Sequence, residues 1–170
     1  SWFGFPRMIG VVIPTAGRSD LLAEAIQSVD GFPLVVVDDS KEGRIELEGV
    51  TVIRTQGQQG FARAANIGLI EMQKKGVDRV LLLNDDAVME RGGLSSMDME
   101  WSEKDGALSP VLHEPDGVVY GIRVHNFGRI HLARKPGPVQ ALSGASLLIR
   151  ASERFDPNYV HGFEDIDLCQ

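Results

Sequence analysis

Two pairs of adjacent aspartates follow short apolar runs and could do chemistry. Asp38 and Asp39 end the stretch VVVDDS, and Asp85 and Asp86 follow the leucines of LLLNDDA. A single Asn-Asp-Asp group is well explained by a turn, because these short side chains hydrogen-bond to the local backbone. If both pairs lie at the same edge of the protein, turn preference explains them less well, because neighbouring carboxylates repel each other unless a cation or a donor ligand offsets them.

Carboxylate oxygens of this kind suit Mg²⁺ or Mn²⁺. Magnesium commonly takes only one or two protein carboxylates, and substrate phosphates complete its shell. The two aspartate pairs therefore point to a divalent metal ion and to a substrate that carries a nucleotide diphosphate.

A third acidic group lies in GFEDIDL, where Glu164, Asp165 and Asp167 follow Gly162. From the residues alone, this group is the acidic first turn of a helix, because carboxylates there interact favourably with the helix dipole.

The surrounding elements decide whether the aspartate pairs can meet. Short β-branched runs alternate with helical patterns, which predicts βα units around a mostly parallel sheet. The predicted strands are MIGVVIP, PLVVV, GVTVIRT and RVLLL, and the predicted helices are DLLAEAIQSV, with Ser19 as its cap, and GFARAANIGLIEMQKKG. The carboxyl ends of such strands meet at one rim of a doubly wound sheet, where ligands bind. Both aspartate pairs are expected there.

The second half of the chain is less regular. GALSPVL, GVVYGIRV and ASLLIR read as strands, and residues 125–138 read as a long loop rich in glycine, proline and basic residues. In the longer helix, the predicted apolar stripe contains Phe61, Ala64, Ala65, Ile67 and Ile70. Trp101, Met97 and Met99 are predicted to fill the core or an interface.

Composition excludes several classes of protein. The chain has 170 residues, of which 43% are hydrophobic and 24% charged, as expected for one soluble domain. Its net charge of −7 argues against a nucleic-acid partner. One cysteine, Cys169, excludes an internal disulfide and suits a reducing compartment, so we expect a cytoplasmic location. The apolar runs are too short to span a bilayer, and SWFGFPRM lacks the features of a signal peptide.

Six segments, taken in order, resemble the family 2 inverting glycosyltransferases of the GT-A fold. They are VVIPTAGRSDLLAEAIQSV, VVVDDS, GFARAANIGL, LLLNDDA, LSGASLLIR and GFEDIDLC, and the match spans residues 9–169. Within that family the chain is similar to the rhamnosyltransferase-like members. The resemblance implies an α/β, nucleotide-diphospho-sugar transferase fold in which residues 1–170 form a single catalytic domain, truncated at its C-terminus. Residues 8–105 would be the nucleotide-sugar-binding half and residues 106–170 the acceptor-side half.

The resemblance also implies a donor site. Pro14, Thr15 and Asp39 would hold the nucleotide base, and Arg63 would supply positive charge, although an arginine on a helix is more often solvated surface. Asn84 stands where the family has the first aspartate of its DxD element, so Asp86 and the diphosphate would hold Mn²⁺ or Mg²⁺. The complete implied donor set is Pro14, Thr15, Asp38, Asp39, Gly60, Arg63, Asn66, Asn84 and Asp85.

On the acceptor side, the resemblance makes Asp165 the general base and Glu164 a residue that orients the acceptor, which would be a carbohydrate or a lipid-linked sugar. Gly144 and Ala145 would allow the acceptor to approach the backbone closely, although small residues before a strand are also ordinary packing. The basic segment FGRIHLARKPGP would contact phosphates or a membrane surface, or else carry solvated charge. A location at the inner face of the membrane is consistent with these assignments.

Two other functions compete with glycosyl transfer. A sugar-nucleotide pyrophosphorylase also uses a doubly wound sheet and magnesium, but it should show a GGxGTRL-like loop after the first strand, and PTAGRSD is not one. A module that binds a nucleotide sugar without turnover is the other alternative.

Overall fold

The computed structural model describes residues 8–17, 19–43, 45–125, 129–159, 162 and 164–169. Their helices and strands, in chain order, are β1 Ile9–Thr15, α1 Ser19–Ser28, β2 Leu34–Asp38, β3 Thr51–Arg54, α2 Phe61–Lys74, β4 Arg79–Leu83, α3 Gly93–Glu100, β5 Ala107–Leu108, β6 Leu112–Glu114, β7 Gly117–Val119, β8 Ile122–His125, β9 Arg129–Leu132, β10 Ser146–Arg150 and α4 Glu164–Leu168. Among the helices of these residues, none is long and apolar enough to cross a membrane.

A six-stranded sheet with the order β3-β2-β1-β4-β10-β5 organises the fold. β1 pairs in parallel with β2 and with β4, and β2 pairs in parallel with β3. β10 is antiparallel to both of its neighbours. The chain leaves β1 toward β2 on one side and returns to β4 on the other, which creates a topological switch point between β1 and β4. The predicted doubly wound, mostly parallel α/β fold is confirmed.

Both faces of this sheet are buried, which explains its continuous apolar runs. Because successive side chains of a strand point to opposite faces, Val12 packs with α2 on one face, whereas Val11 and Ile13 pack with α1 and α3 on the other. Two layers of helices therefore fix the strand ends, and the strand ends carry the aspartate pairs.

Short elements were predicted less well than the long ones. The expected loop at residues 125–138 is wrong in part, because β9 pairs with β8 in an antiparallel hairpin. Helix α3 was not predicted, since only Leu94 and Met97 of its residues are buried. Met99 is 80% exposed and so is not a core residue.

The buried face of α2 also differs from the predicted stripe. Ile70 is 42% exposed, whereas Leu69 and Met72 are fully buried. Gly68, which a hydrophobic pattern ignores, lies at the centre of this face and lets α2 approach β1 closely.

Gly68→Ala is expected to destabilise the protein. An added Cβ would lie 2.3 Å from Cγ1 and 2.9 Å from Cγ2 of Val12. Such overpacking costs about 1–3 kcal/mol, and the better helix propensity of alanine returns only about 1 kcal/mol. The free energy of unfolding in urea measures the effect. Gly106→Ala is the matched control, because no atom lies within 4 Å of its added Cβ. Stability equal to that of the parent would contradict the α2–β1 contact.

Candidate functional site

A cavity of about 420 Å³ opens at the carboxyl ends of β1, β2 and β4. This is the switch point of the sheet, where open α/β sheets bind their ligands. The cavity is lined by Pro14, Thr15, Ala16, Asp39, Lys41, Gln58, Gly60, Phe61, Ala64, Asn84, Asp85 and Asp86. The sheet therefore brings most of the predicted donor residues together.

The ends of β1 and β4 are joined through a buried hydrogen bond. Thr15 Oγ1 donates to Asp85 Oδ2 over 2.6 Å, and the amide of Gly17 donates to Thr15 Oγ1 over 3.1 Å. Both Thr15 and Asp85 are at least nine-tenths buried. Asp85 thus sits in the cavity wall with one carboxylate oxygen committed to Thr15.

Asp39 lines the cavity and also holds its neighbouring loop. Its Oδ1 accepts hydrogen bonds from Thr55 Oγ1 and from the amide of Gln59, and its Oδ2 accepts one from the amide of Gly60. Gly60 begins the entry to α2 with a φ of 90°. Substitution of Asp39 would therefore release this loop together with any contact to a nucleotide base, so it is a poor test of base recognition.

The loop between β3 and α2 adopts unusual backbone geometry beside the cavity. Gln58 has a φ of 53° and is the one non-glycine residue with a positive φ in the part of the chain that the structure describes. Its amide donates to the carbonyl of Asp39. Such conformations persist where the surrounding contacts impose them, and they concentrate at ligand sites. Gln58 is a cavity residue that no pattern in the sequence indicated.

Asp38 lies outside the cavity lining. It is 1% exposed, accepts a hydrogen bond from the amide of Ser40 over 2.9 Å and pairs with Arg54 Nη1 over 3.1 Å. Burial raises the pKa of this carboxyl, but hydrogen bonds from Ser40 and Ile45 and the charge of Arg54 outweigh burial and hold the pKa below its usual value. Asp38 thus organises the loop that follows β2.

Asn84 and Asp86 shape the opposite wall. The amide of Asn84 donates to the carbonyl of Ala145 over 3.0 Å, and the carbonyl of Asn84 accepts from the amide of Ala87 in a turn. Asp86 is exposed at the cavity. The turn explanation for this segment is correct for the backbone, yet the turn also directs Asp85 and Asp86 to the same cavity.

This set of ligands restricts how a metal ion could bind. Within the described residues, no group of three or more His, Cys, Asp or Glu side chains could hold a metal. One or two carboxylates at a cavity fit Mg²⁺ or Mn²⁺ only if the ion takes the rest of its shell from substrate or water oxygens. They do not fit a metal ion held by protein ligands alone.

Arg63 and Asn66 contact another segment instead of the cavity. Arg63 Nε donates to the carbonyl of Pro157 over 3.0 Å. The side chain of Asn66 both donates to and accepts from the backbone of Phe155, each over 2.9 Å. The two side chains fasten residues 155–157 to α2. The basic side chain that lines the cavity, among the described residues, is Lys41. Its one signal in the sequence is its position two residues after Asp39.

Asp165 contacts the segment that precedes β10. Its Oδ2 accepts from the amide of Gly144, and its Oδ1 from the amide of Ile166, both over 2.9 Å. Ala145, next to Gly144, accepts the hydrogen bond of Asn84. Two backbone contacts therefore connect Asp165 to the cavity wall, although Asp165 does not line the cavity itself.

The remaining acceptor-side predictions fall in the same neighbourhood. Glu164 is half-buried at the start of α4, and a Cβ added to Gly144 would lie 3.4 Å from Cβ of Asp165. The side chain that lies close to Gly144 is thus that of Asp165, and a close approach of Gly144 and Ala145 to the acceptor stays a prediction. His161, the histidine nearest to this segment in the sequence, falls outside the described residues.

Comparison with known proteins identifies the fold and not the family. No protein-family model and no curated protein matches the chain. A197 from STIV is similar with a TM-score of 0.60 and 13% identity, over 96% of this chain and 76% of that one. TarS 1-349 from S. aureus has a TM-score of 0.59 and 18% identity, over 95% of this chain and 54% of that one. Mannose-1-phosphate geranyltransferase from Thermus thermophilus has a TM-score of 0.57 and 16% identity, over 85% of this chain and 58% of that one.

These similarities place the chain among proteins with the nucleotide-diphospho-sugar transferase fold. The chain spans little more than half the length of the second and third of these structures. Membership of glycosyltransferase family 2 stays a prediction.

Proposed function

We propose that the protein is a glycosyltransferase that moves a sugar from a nucleotide-diphosphate donor to an acceptor hydroxyl with inversion. One observation carries this proposal: the cavity at the switch point, where three strand ends bring Asp39, Asp85 and Asp86 together. The fold supports the broader class, a transferase that acts on nucleotides or nucleotide sugars. The order of the sequence segments favours glycosyl transfer within that class.

The donor would bind with its base between Asp39, Pro14 and Thr15 and with its diphosphate toward Asp86. The first turn of α2 borders the cavity through Gly60 and Phe61, and the positive end of a helix dipole favours anionic groups. Mg²⁺ or Mn²⁺, bound by Asp86 and the diphosphate, would neutralise the charge of the leaving group. These assignments place anionic substrate groups beside carboxylates, so the cavity needs a protein cation as well.

Lys41 would provide that cation. Lys41→Gln is expected to weaken nucleoside diphosphate binding by about twofold to fivefold and to leave nucleoside binding unchanged, because an exposed ion pair contributes at most about 1 kcal/mol. Calorimetry with both ligands measures the effect, and Lys74→Gln, which removes a charge near the far end of α2, is the control. Loss of affinity in Arg63→Gln, with none in Lys41→Gln, would show that Arg63 and not Lys41 provides the cation for the diphosphate.

Inverting transfer also needs a base on the acceptor side. The acceptor oxygen bonds to the anomeric carbon on the face opposite the departing diphosphate, the bond from that carbon to the phosphate oxygen breaks, and the hydroxyl proton goes to a carboxylate. Asp165 is proposed as that carboxylate, with Glu164 orienting the acceptor beside Gly144 and Ala145. The contacts of Gly144 with Asp165 and of Ala145 with Asn84 support this assignment.

The test is a thermal-shift screen of UDP-, dTDP- and GDP-sugars with and without Mn²⁺, followed by an assay for nucleoside diphosphate release. A ligand that binds only the native state raises its apparent stability. Release of pyrophosphate from a nucleoside triphosphate would show a pyrophosphorylase instead. Binding of a nucleotide sugar without release of nucleoside diphosphate would show a binding module.

A further inference from the structure

The hairpin formed by β8 and β9 has a charge opposite to that of the chain. Residues 122–135 contain Arg123, Arg129, Arg134 and Lys135 and no Asp or Glu, although the whole chain has a net charge of −7. Of the ion pairs within the described residues, one involves this segment, between Arg134 and Glu114 over 3.4 Å. The segment is therefore a local cationic surface on an acidic protein.

The register of the hairpin separates apolar from basic side chains. Ile122 pairs with Leu132 and Val124 with Ile130, whereas Arg123 pairs with His131 and His125 with Arg129. Residues directly opposite each other in an antiparallel pair share a face, and the faces alternate along the strand. The rings of His125 and His131, 4.9 Å apart, lie together on the basic face. The hairpin is thus amphipathic.

The apolar face of the hairpin extends from the protein core to solvent. Ile122 is 6% exposed, but Ile130 and Leu132 on the partner strand are 36% and 43% exposed. All four residues of β9 are exposed. A soluble polyanion would use the basic face and would leave these apolar side chains in water. A lipid surface that meets the hairpin at the exposed edge of β9 would contact both faces.

The base of the hairpin lies next to the acceptor side of the cavity. The amide of Ile122 donates to the carbonyl of Ala141 over 2.8 Å. From Ala141 the chain reaches Gly144, which contacts Asp165, and Ala145, which contacts Asn84. Four residues span at most about 14 Å when fully extended. The surface that binds the hairpin would therefore be close to the acceptor.

We propose that the β8–β9 hairpin docks the protein on an anionic lipid surface, with Ile130 and Leu132 at the boundary of the headgroups and the basic side chains paired with lipid phosphates. Amphipathic helices with basic residues on their polar face bind membranes in this way, and this hairpin has the same separation of apolar from basic side chains. Because the net charge of the protein is negative, the attraction has to be local to this hairpin. The presentation of a membrane-bound acceptor to Asp165 rests on the proposed function, whereas lipid binding itself does not.

Vesicle co-sedimentation tests the proposal. The protein is expected to bind phosphatidylcholine vesicles that contain phosphatidylglycerol and not to bind vesicles of phosphatidylcholine alone. It should dissociate as the salt concentration rises. Arg129→Gln with Lys135→Gln should weaken binding about fivefold for each charge removed. Ile130→Ser with Leu132→Ser should weaken it as well. Lys74→Gln with Lys75→Gln is the control, since both lysines lie next to Glu71 at the end of α2.

Three outcomes would overturn the proposal. The parent protein could fail to bind anionic vesicles at low salt. The control could lose as much affinity as the hairpin variants, which would show attraction without a specific site. The serine variant could bind like the parent while heparin binds as tightly as vesicles, which would show a site for soluble polyanions. Nucleotide affinity, measured without vesicles, tests the donor site separately and should be the same in all variants, as should their thermal midpoints.

Discussion

Asp165→Asn is expected to leave donor affinity unchanged and to slow the transfer reaction by about 10²- to 10⁴-fold. The amide has the shape of the carboxylate but cannot accept the proton of the acceptor hydroxyl. Removal of an interaction that exists only in the transition state lowers kcat and kcat/KM equally. Release of nucleoside diphosphate from the donor that binds best measures the rate, and calorimetry measures the affinity.

The contacts of Asp165 determine how this experiment must be controlled. Both of its oxygens accept backbone hydrogen bonds, from Gly144 and from Ile166. An asparagine keeps one acceptor oxygen and turns the other position into a donor, so part of the loss could come from a displaced loop. Asp167→Asn is the matched control, since Asp167 follows two residues later and accepts from Tyr159. Thermal midpoints should agree between the two variants.

Two results would contradict the role of Asp165. Transfer at the parental rate in Asp165→Asn would place the base elsewhere, with Glu164 and Asp167 next to be tested. Failure of this variant to fold, with Asp167→Asn folded, would show that Asp165 stabilises the start of α4 and the contact of α4 with Gly144.

The sequence predicted the central sheet well because both faces of that sheet are buried. RVLLL, for example, forms β4 at the predicted bounds Arg79–Leu83. Parallel strands also end at one rim by geometry, so Thr15, Asp39 and Asp85 meet as expected. Helix α3 carries no strong helical period, so a pattern of residues could not reveal it. The alternation of apolar and polar residues in β9 was available in the sequence, but it covers only four residues, and the glycine and proline residues around it favoured a loop.

Side-chain roles were harder to predict than strand positions. Adjacent residues at a strand end point to opposite sides, so only one member of the pair Asp38–Asp39 lines the cavity. That alternation was available in the sequence. The contact of Arg63 with Pro157, 94 positions away, was not, and it explains why the expected cation lies outside the cavity. The position of Lys41 in the cavity, in contrast, depends only on the path of the loop after β2.

Asp86 is the residue through which the metal can be tested without an acceptor. Asp86→Ala is expected to abolish the part of nucleoside diphosphate affinity that depends on Mn²⁺, because the ion would lose its protein ligand at the cavity. Loss of residues that only support metal ligands typically costs 10–100-fold, so loss of a direct ligand should cost about 100-fold or more. Affinity without metal should not fall, because the substitution removes a negative charge from the cavity wall beside the diphosphate.

Calorimetry with and without Mn²⁺, on the parent and on Asp86→Ala, separates these two components of binding. Asp116→Ala is the matched control, because it removes the same charge from an exposed position in the turn between β6 and β7. Equal affinity of parent and Asp86→Ala with Mn²⁺ present would show that this residue is not a ligand. Asp85 would then be the next candidate, and its hydrogen bond from Thr15 would have to rearrange for it to bind a metal through both oxygens. Loss of affinity both with and without Mn²⁺ would instead show that Asp86 shapes the cavity, as the turn preference of Asn84–Asp86 alone would suggest.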